Sequence, residues 1–341
     1  MVLHPSSYRR FLIPLLIGTA VITLGLGCAF AILSASSRAG DRRQASQAVV
    51  AAEKTEDAPL PESTRDFRRL LSKTALAESS ESEIRMLSED FVVAAEREGK
   101  DPGKILAGLL PSPSEILAMI ARDRDVDDFI ENSNEENAAG KYYQNVVSIV
   151  DEFQPLLPKY EALFAGAYSA LALRKHDAGS YDGGVTLPGL SSRPNERQYD
   201  FSHTFALDIF LRDVETNPRT GLEKGPSIHS LTDGLVVAAD SSWRGGETLE
   251  TYRSGGITPK AGNGVIIYSP HSRKFFLYFH LHDTDVEKGW AVPRGYPLGR
   301  GGNTGTNARR PGHGEHLHLE IYDAASRKFL RNKDIARFVF D

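Results

Sequence analysis

The spacing of apolar residues divides the chain into four stretches. Residues 11–33 read FLIPLLIGTAVITLGLGCAFAIL without a charge, and at 1.5 Å per residue they span about 34 Å as a helix, enough to cross a hydrocarbon core. Residues 34–65 are polar, rich in Ala, Glu and Pro, and lack a sustained period, as a tether does. A helical period follows. Phe67, Leu70, Leu71 and Leu76, then Ile84, Leu87, Phe91, Val92 and Ala95, recur at spacings of three and four, and further helical stretches run over about 114–122, 137–153 and 159–175 between prolines. Beyond Gly179 the pattern turns to Gly-rich turns and short alternating runs at 233–240, 263–270, 274–282 and 315–323, the mark of antiparallel strands. The expected fold class is α+β multidomain: a transmembrane helix over 11–33, a linker over 34–65, an all-α region over 66–178 and an antiparallel β domain over 181–341.

Composition narrows the chemistry. The 341 residues are 40% apolar and 25% charged with a net charge of -5, which is ordinary for globular protein. Basic residues exceed acidic ones in neither half by enough to make a nucleic-acid surface, so nucleic acid is excluded as a partner. The lone cysteine, Cys28, lies in the apolar run, so no intrachain disulfide or cysteine metal site is available and any metal must be held by His and carboxylates. Arg9 and Arg10 precede the apolar run as in a signal sequence. Its length favours an uncleaved anchor, with cleavage near Ser34 to Ser37 as the alternative, while Gly25 makes a poor lipobox around Cys28. Arginines on both flanks leave orientation open.

The candidate chemistry lies in the β region. In His316-Leu317-His318-Leu319-Glu320 the alternation of a strand sends His316, His318 and Glu320 to one face and the leucines to the core. By the same rule Tyr278, His280 and His282 share the face opposite Leu277, Phe279 and Leu281. His203 stands just ahead of a short strand-like run ending at Asp208. Singly, each motif is more often a set of solvated polar residues than a metal site.

In order along the chain, His203 and Asp208, the glycine-punctuated strand pair from Gly225, Tyr278-Phe279-His280-Leu281, the loop from Val286 to Asn307, and His316-Leu317-His318-Leu319-Glu320 resemble the signature of lysostaphin/LytM-type zinc metallopeptidases. The resemblance covers roughly residues 200–322 and does not reach the helical region. It implies a lysostaphin-like duplicated hybrid motif fold and one Zn2+ per chain held by His203, Asp208 and His318. It also makes His280 and His316 the catalytic imidazoles. One spacing departs from the family: four residues rather than three separate His203 from Asp208. On a regular strand that offset would send them to opposite faces, so His203 is expected in the loop before the strand or on a bulge. Polar inserts at 212–224 and 241–261 exceed the usual lengths. His229, His271 and His313 have no partner motif; His282 matches no family ligand; Asn263, Asn303 and Thr304 suit either groove lining or turn chemistry.

The implied function is a zinc-dependent endopeptidase hydrolysing peptidoglycan cross-links or stem peptides. The alternative is a non-catalytic LytM-like domain that activates another cell-wall hydrolase. The helical region is expected either to cover the groove until a regulatory protein displaces it or to act as a spacer. Peptidoglycan as substrate implies residues 1–10 in the cytoplasm, a single-pass anchor in the cytoplasmic membrane and the catalytic domain in the periplasm or at the cell surface.

Overall fold

Five of the described helices begin where a short polar side chain satisfies their free amides. The computed structural model describes residues 72–120, 136–174, 199–200, 203–310 and 315–340. Ser72 caps α1 (Lys73–Glu78) and Ser80 caps α2 (Glu81–Arg97), whose first turn carries Glu81 and Glu83. Asp101 accepts from the Gly103 and Lys104 amides ahead of α3 (Pro102–Leu109). Before α4 (Pro113–Ile120), Ser112 and Glu115 bond reciprocally as a capping box. Asn137 caps α5 (Ala138–Phe153), which runs through a 3-10 turn into α6 (Leu157–Ala170). The expected stripe on α2 is the buried one: Ile84, Phe91, Val92 and Ala95 are all within 1% of full burial. Phe67, Leu70 and Leu71 lie outside the described residues. Helices α2 and α6 meet at Gly166, where an added Cβ would sit 2.3 Å from the Arg85 carbonyl oxygen, so only glycine permits this approach.

The β region is one antiparallel sheet. Its strands are β1 (Tyr199–Asp200), β2 (Leu207–Phe210), β3 (Glu215–Thr216), β4 (Glu223–His229), β5 (Gly234–Asp240), β6 (Asn263–Ser269), β7 (Lys274–Thr284), β8 (Ala291–Val292), β9 (Pro297–Gly302), β10 (His316–Asp323) and β11 (Lys328–Phe329). The main path runs β1-β2-β10-β7-β6-β5-β8, with β9 bridging β7 to β4, β3 on β4 and β11 on β10. Alternation sends Ile266, Tyr268, Phe275, Leu277 and Phe279 into a core shared with the helices. Val265, Ile267, Phe276, Tyr278, Leu317, Leu319 and Ile321 enter a second core. Ile335 and Val339 of α7 (Asn332–Phe340), a helix the pattern reading did not identify, join the second core.

Helices α4 and α6 lie against β5, and α6 also against β6. Polar links reinforce the contact: buried Glu161 of α6 accepts from Arg273 Nη2 at 3.1 Å and Tyr268 Oη at 3.2 Å. Lys288 Nζ donates to the carbonyl oxygens of Leu110 and Pro111. Burial holds Glu161 above the ordinary carboxylate range despite the opposing pull of Arg273.

The expected transmembrane helix requires correction, and the single-pass location and membrane partnership are withdrawn with it. Among the described residues no helix is long and apolar enough to cross a membrane. The longest, α2, has 17 residues and a largely charged outer face, about 26 Å against the ~30 Å of a hydrocarbon core. Residues 11–33 themselves lie outside the described residues.

Candidate metal centre

Strand pairing brings the distant motifs together. β10 lies between β2 and β7, with His318 opposite Asp208 on one side and Phe279 on the other. Leu317 and Leu319 are fully buried in the second core, so the opposite face of β10 carries His316, His318 and Glu320, as alternation requires. His203 lies in the turn before β2 rather than on the strand. This resolves the four-residue spacing: leaving the pleat frees the imidazole to fold back, placing its Nε2 3.4 Å from Asp208 Oδ2.

His280 arrives by a different device. Asn263 pairs with Leu281 and Gly264 with Phe279, leaving His280 as the extra residue of a bulge with φ 64°. A left-handed histidine costs on the order of 1–3 kcal/mol and persists only where its surroundings impose it. Its amide donates to the Ala261 carbonyl at 3.0 Å, and its Nδ1 donates to the Thr304 carbonyl at 2.8 Å. The bulge also overturns the expectation that Tyr278, His280 and His282 share a face. Tyr278 and Leu281 enter the same core, and His282 bonds the Glu223 carbonyl on the wall of a cavity of about 480 Å³ lined also by Leu222 and Lys224.

Asp208 is the hub. Its Oδ1 accepts from His318 Nδ1 at 2.6 Å, and its Oδ2 lies 3.8 Å from His316 Nε2. Burial alone would raise the Asp208 pKa, but the His318 hydrogen bond and the neighbouring imidazoles lower it to about 2. For His318, burial opposes the charge, yet the bonds to Asp208 and then to Glu320 Oε1, 3.0 Å from Nε2, raise its pKa to about 10. For His280 the opposing pull of the Thr304 carbonyl and of Asp208 is the weaker one. Burial first, then the charges of His316 and His318, hold its pKa well below the usual histidine value, so it is neutral at neutral pH.

Two sets of ligand atoms converge, each within 4.8 Å: His203, Asp208 and His318, and His280, His316 and His318. Imidazole and carboxylate donors suit zinc. Glu320 supports the first set by holding His318 through Nε2, which leaves Nδ1 directed toward Asp208. The remaining rings crowd in: the His280 and His316 centroids are 4.8 Å apart, and His318 stacks on Phe279 at 6.2 Å. Ala261 and Thr304 position His280 through backbone carbonyls, a role that no residue type encodes, although Thr304 stands among the residues suited to groove lining or turn chemistry. His271 packs edge-on against Tyr168, and His313 lies outside the described residues.

Comparison with known proteins adds to this geometry. Residues 219–329 match Peptidase family M23, about a third of the chain. No curated protein matches the chain. Among solved structures, a zinc-containing peptidase from Vibrio cholerae shares 24% identity at TM-score 0.25 over 41% of this chain, which spans 38% of that one. A candidate glycyl-glycine endopeptidase lytM from Ruminococcus gnavus shares 16% identity at TM-score 0.29 over 67% of this chain and 87% of that one. The sheet therefore contains an M23-like peptidase domain with a His/Asp cluster able to coordinate a metal ion.

Proposed function

We propose that the chain is a zinc-dependent endopeptidase that hydrolyses peptide bonds of peptidoglycan cross-links or stem peptides. The observation that carries this reading is the convergence of His203, Asp208 and His318 from a turn and two strands, with His280 and His316 beside them. In this reading His203, Asp208 and His318 hold the ion. Zinc bound there supplies positive charge that polarises a scissile carbonyl and acidifies water.

The two remaining imidazoles then divide the proton transfers. His280 is neutral, and because Nδ1 donates to Thr304 its Nε2 carries the free lone pair, the form a general base needs. His316, buried beside it, is assigned the donor role toward the developing oxyanion or the leaving amine. A non-catalytic activator would not need this complete set of five side chains, and nothing in the geometry favours that alternative. The test is release of peptide fragments from purified peptidoglycan by the full chain, with and without chelator. Zinc-loaded protein inert on every cell-wall preparation would overturn the reading.

A further inference from the structure

We propose that Tyr142 of helix α5 is a positioning residue for His280, so that the helical layer helps build the catalytic site rather than covering it. The proposal rests on the reading of His280 as a catalytic imidazole, but its physical content is a contact path visible in the fold. Tyr142 Oη donates to the Ile257 carbonyl at 2.6 Å, across 115 residues of sequence. Ile257 in turn donates from its amide to Gly262 at 2.7 Å, and the Gly262 amide returns to the Thr258 carbonyl at 2.9 Å, closing a tight loop. Inside that loop the Ala261 amide is held by Thr258 Oγ1 at 2.8 Å, and the Ala261 carbonyl grips the His280 amide at 3.0 Å.

The same loop presses on the segment that holds the His280 ring. A Cβ on Gly262 would lie 2.4 Å from both the Gly305 nitrogen and the Thr304 carbonyl carbon, and Gly262 has φ +70°, so glycine is required there. The Asn263 amide bonds Thr304 Oγ1 at 2.9 Å, and Thr304 Oγ1 donates to the Leu281 carbonyl at 2.6 Å. Both bonds that hold His280, one from its amide to Ala261 and one from its ring to Thr304, therefore come from segments packed on the loop that Tyr142 anchors.

Apolar packing ties the inserts to the same helix. Ala139 and Tyr143 of α5 form a buried cluster with Trp243 and Tyr252 of the 241–261 insert, and Leu222 of the 212–224 insert packs on it. Two inserts thus rest on one helix, and in a close-packed interior a shift at one end is transmitted rather than absorbed. The metal set depends on other elements, the turn before β2 and strands β2 and β10. Loss of the Tyr142 hydroxyl is accordingly expected to disturb His280 and spare zinc binding.

The experiment uses the zinc-loaded full chain with 15N-labelled histidine, comparing wild type with Tyr142→Phe, with His280 resonances assigned from the His280→Gln variant. The expected result is a shift of the His280 ring signals, unchanged His203 and His318 signals, wild-type zinc content, and a kcat lower by about tenfold at little-changed KM, the scale of one hydrogen bond. Unmoved His280 signals overturn the inference. Should Tyr142→Phe fail to fold, Thr258→Val removes the hydroxyl that holds the Ala261 amide, enters the same path from the loop side and is expected to move the same signals. Glu161→Gln, which alters a different link between helices and sheet, is the control. If it moves His280 as much as Tyr142→Phe does, the specific path is wrong. A wild type inert on peptidoglycan whose His280 signals still shift in Tyr142→Phe would refute the peptidase reading and leave the positioning role standing.

Discussion

The capping side chains of the helices and the site side chains of the sheet are used in opposite ways. In the helices, Ser72, Ser80, Ser112 and Asn137 each bond an amide three residues away, so their chemistry is spent on defining where a helix begins. In the sheet, His318 bonds Asp208 across 110 residues and His280 bonds Thr304 across 24. Polar groups engaged by their neighbours make boundaries; polar groups withheld from their neighbours and gathered by tertiary structure make a site. The sheet accordingly holds the strongly perturbed histidines, while the marked shifts in the helices are of buried tyrosines and Glu161 raised by desolvation.

Substitutions can break or sharpen that contrast. The largest effect belongs to His316→Ala, expected to lower peptidoglycan hydrolysis by about 10²–10⁴-fold with the fold retained, as read by fragment release and circular dichroism. Equal turnover would remove His316 from the mechanism. Next, Glu320→Ala unfastens the second nitrogen of His318 and should weaken zinc about 10–100-fold in a competition titration.

Smaller again is the pH response of metal uptake. His318 is protonated up to about pH 10 in the metal-free protein, so zinc must displace that proton, and affinity should rise by about tenfold per pH unit across neutrality. The sign for stability is the reverse. A pKa raised from 6.5 to about 10 gives the metal-free protein a contribution that is full below pH 6.5 and lost as pH climbs through 10. Metal-free unfolding followed against pH should show that decline, and a flat profile would contradict the His318 environment.

On the helical side, Gly166→Ala drives a methyl into the Arg85 carbonyl and should cost about 1–3 kcal/mol, measured by denaturant unfolding, with zinc affinity unchanged. At the bottom of the scale, Arg85→Ala removes an exposed pair with Glu89 and should change nothing measurable.

The same contrast explains what could be read from the amino-acid sequence. Helix α2 and strands β5, β6, β7 and β10 are legible because their periodicity is local, and so is the face shared by His316, His318 and Glu320. The bulge at His280 was hidden: it depends on a one-residue register shift against Asn263 and Gly264, which reverses the alternation and separates His280 from His282. Thr304 and Ala261 reach His280 through backbone carbonyls, and that role has no residue-type signature. The turn placing His203 was anticipated only because its spacing clashed with a regular strand, and α7 went unread among mixed residues at the C-terminus.

In the proposed reading one zinc is held by His203, Asp208 and His318, and anomalous diffraction at the zinc edge from crystals of the zinc-loaded full chain locates it. One anomalous peak per chain is expected, coordinated by His203, Asp208 and His318, with His280 and His316 beside it and free of the metal. A peak coordinated by His280, His316 and His318, the other convergent set, or no peak at all, would contradict it.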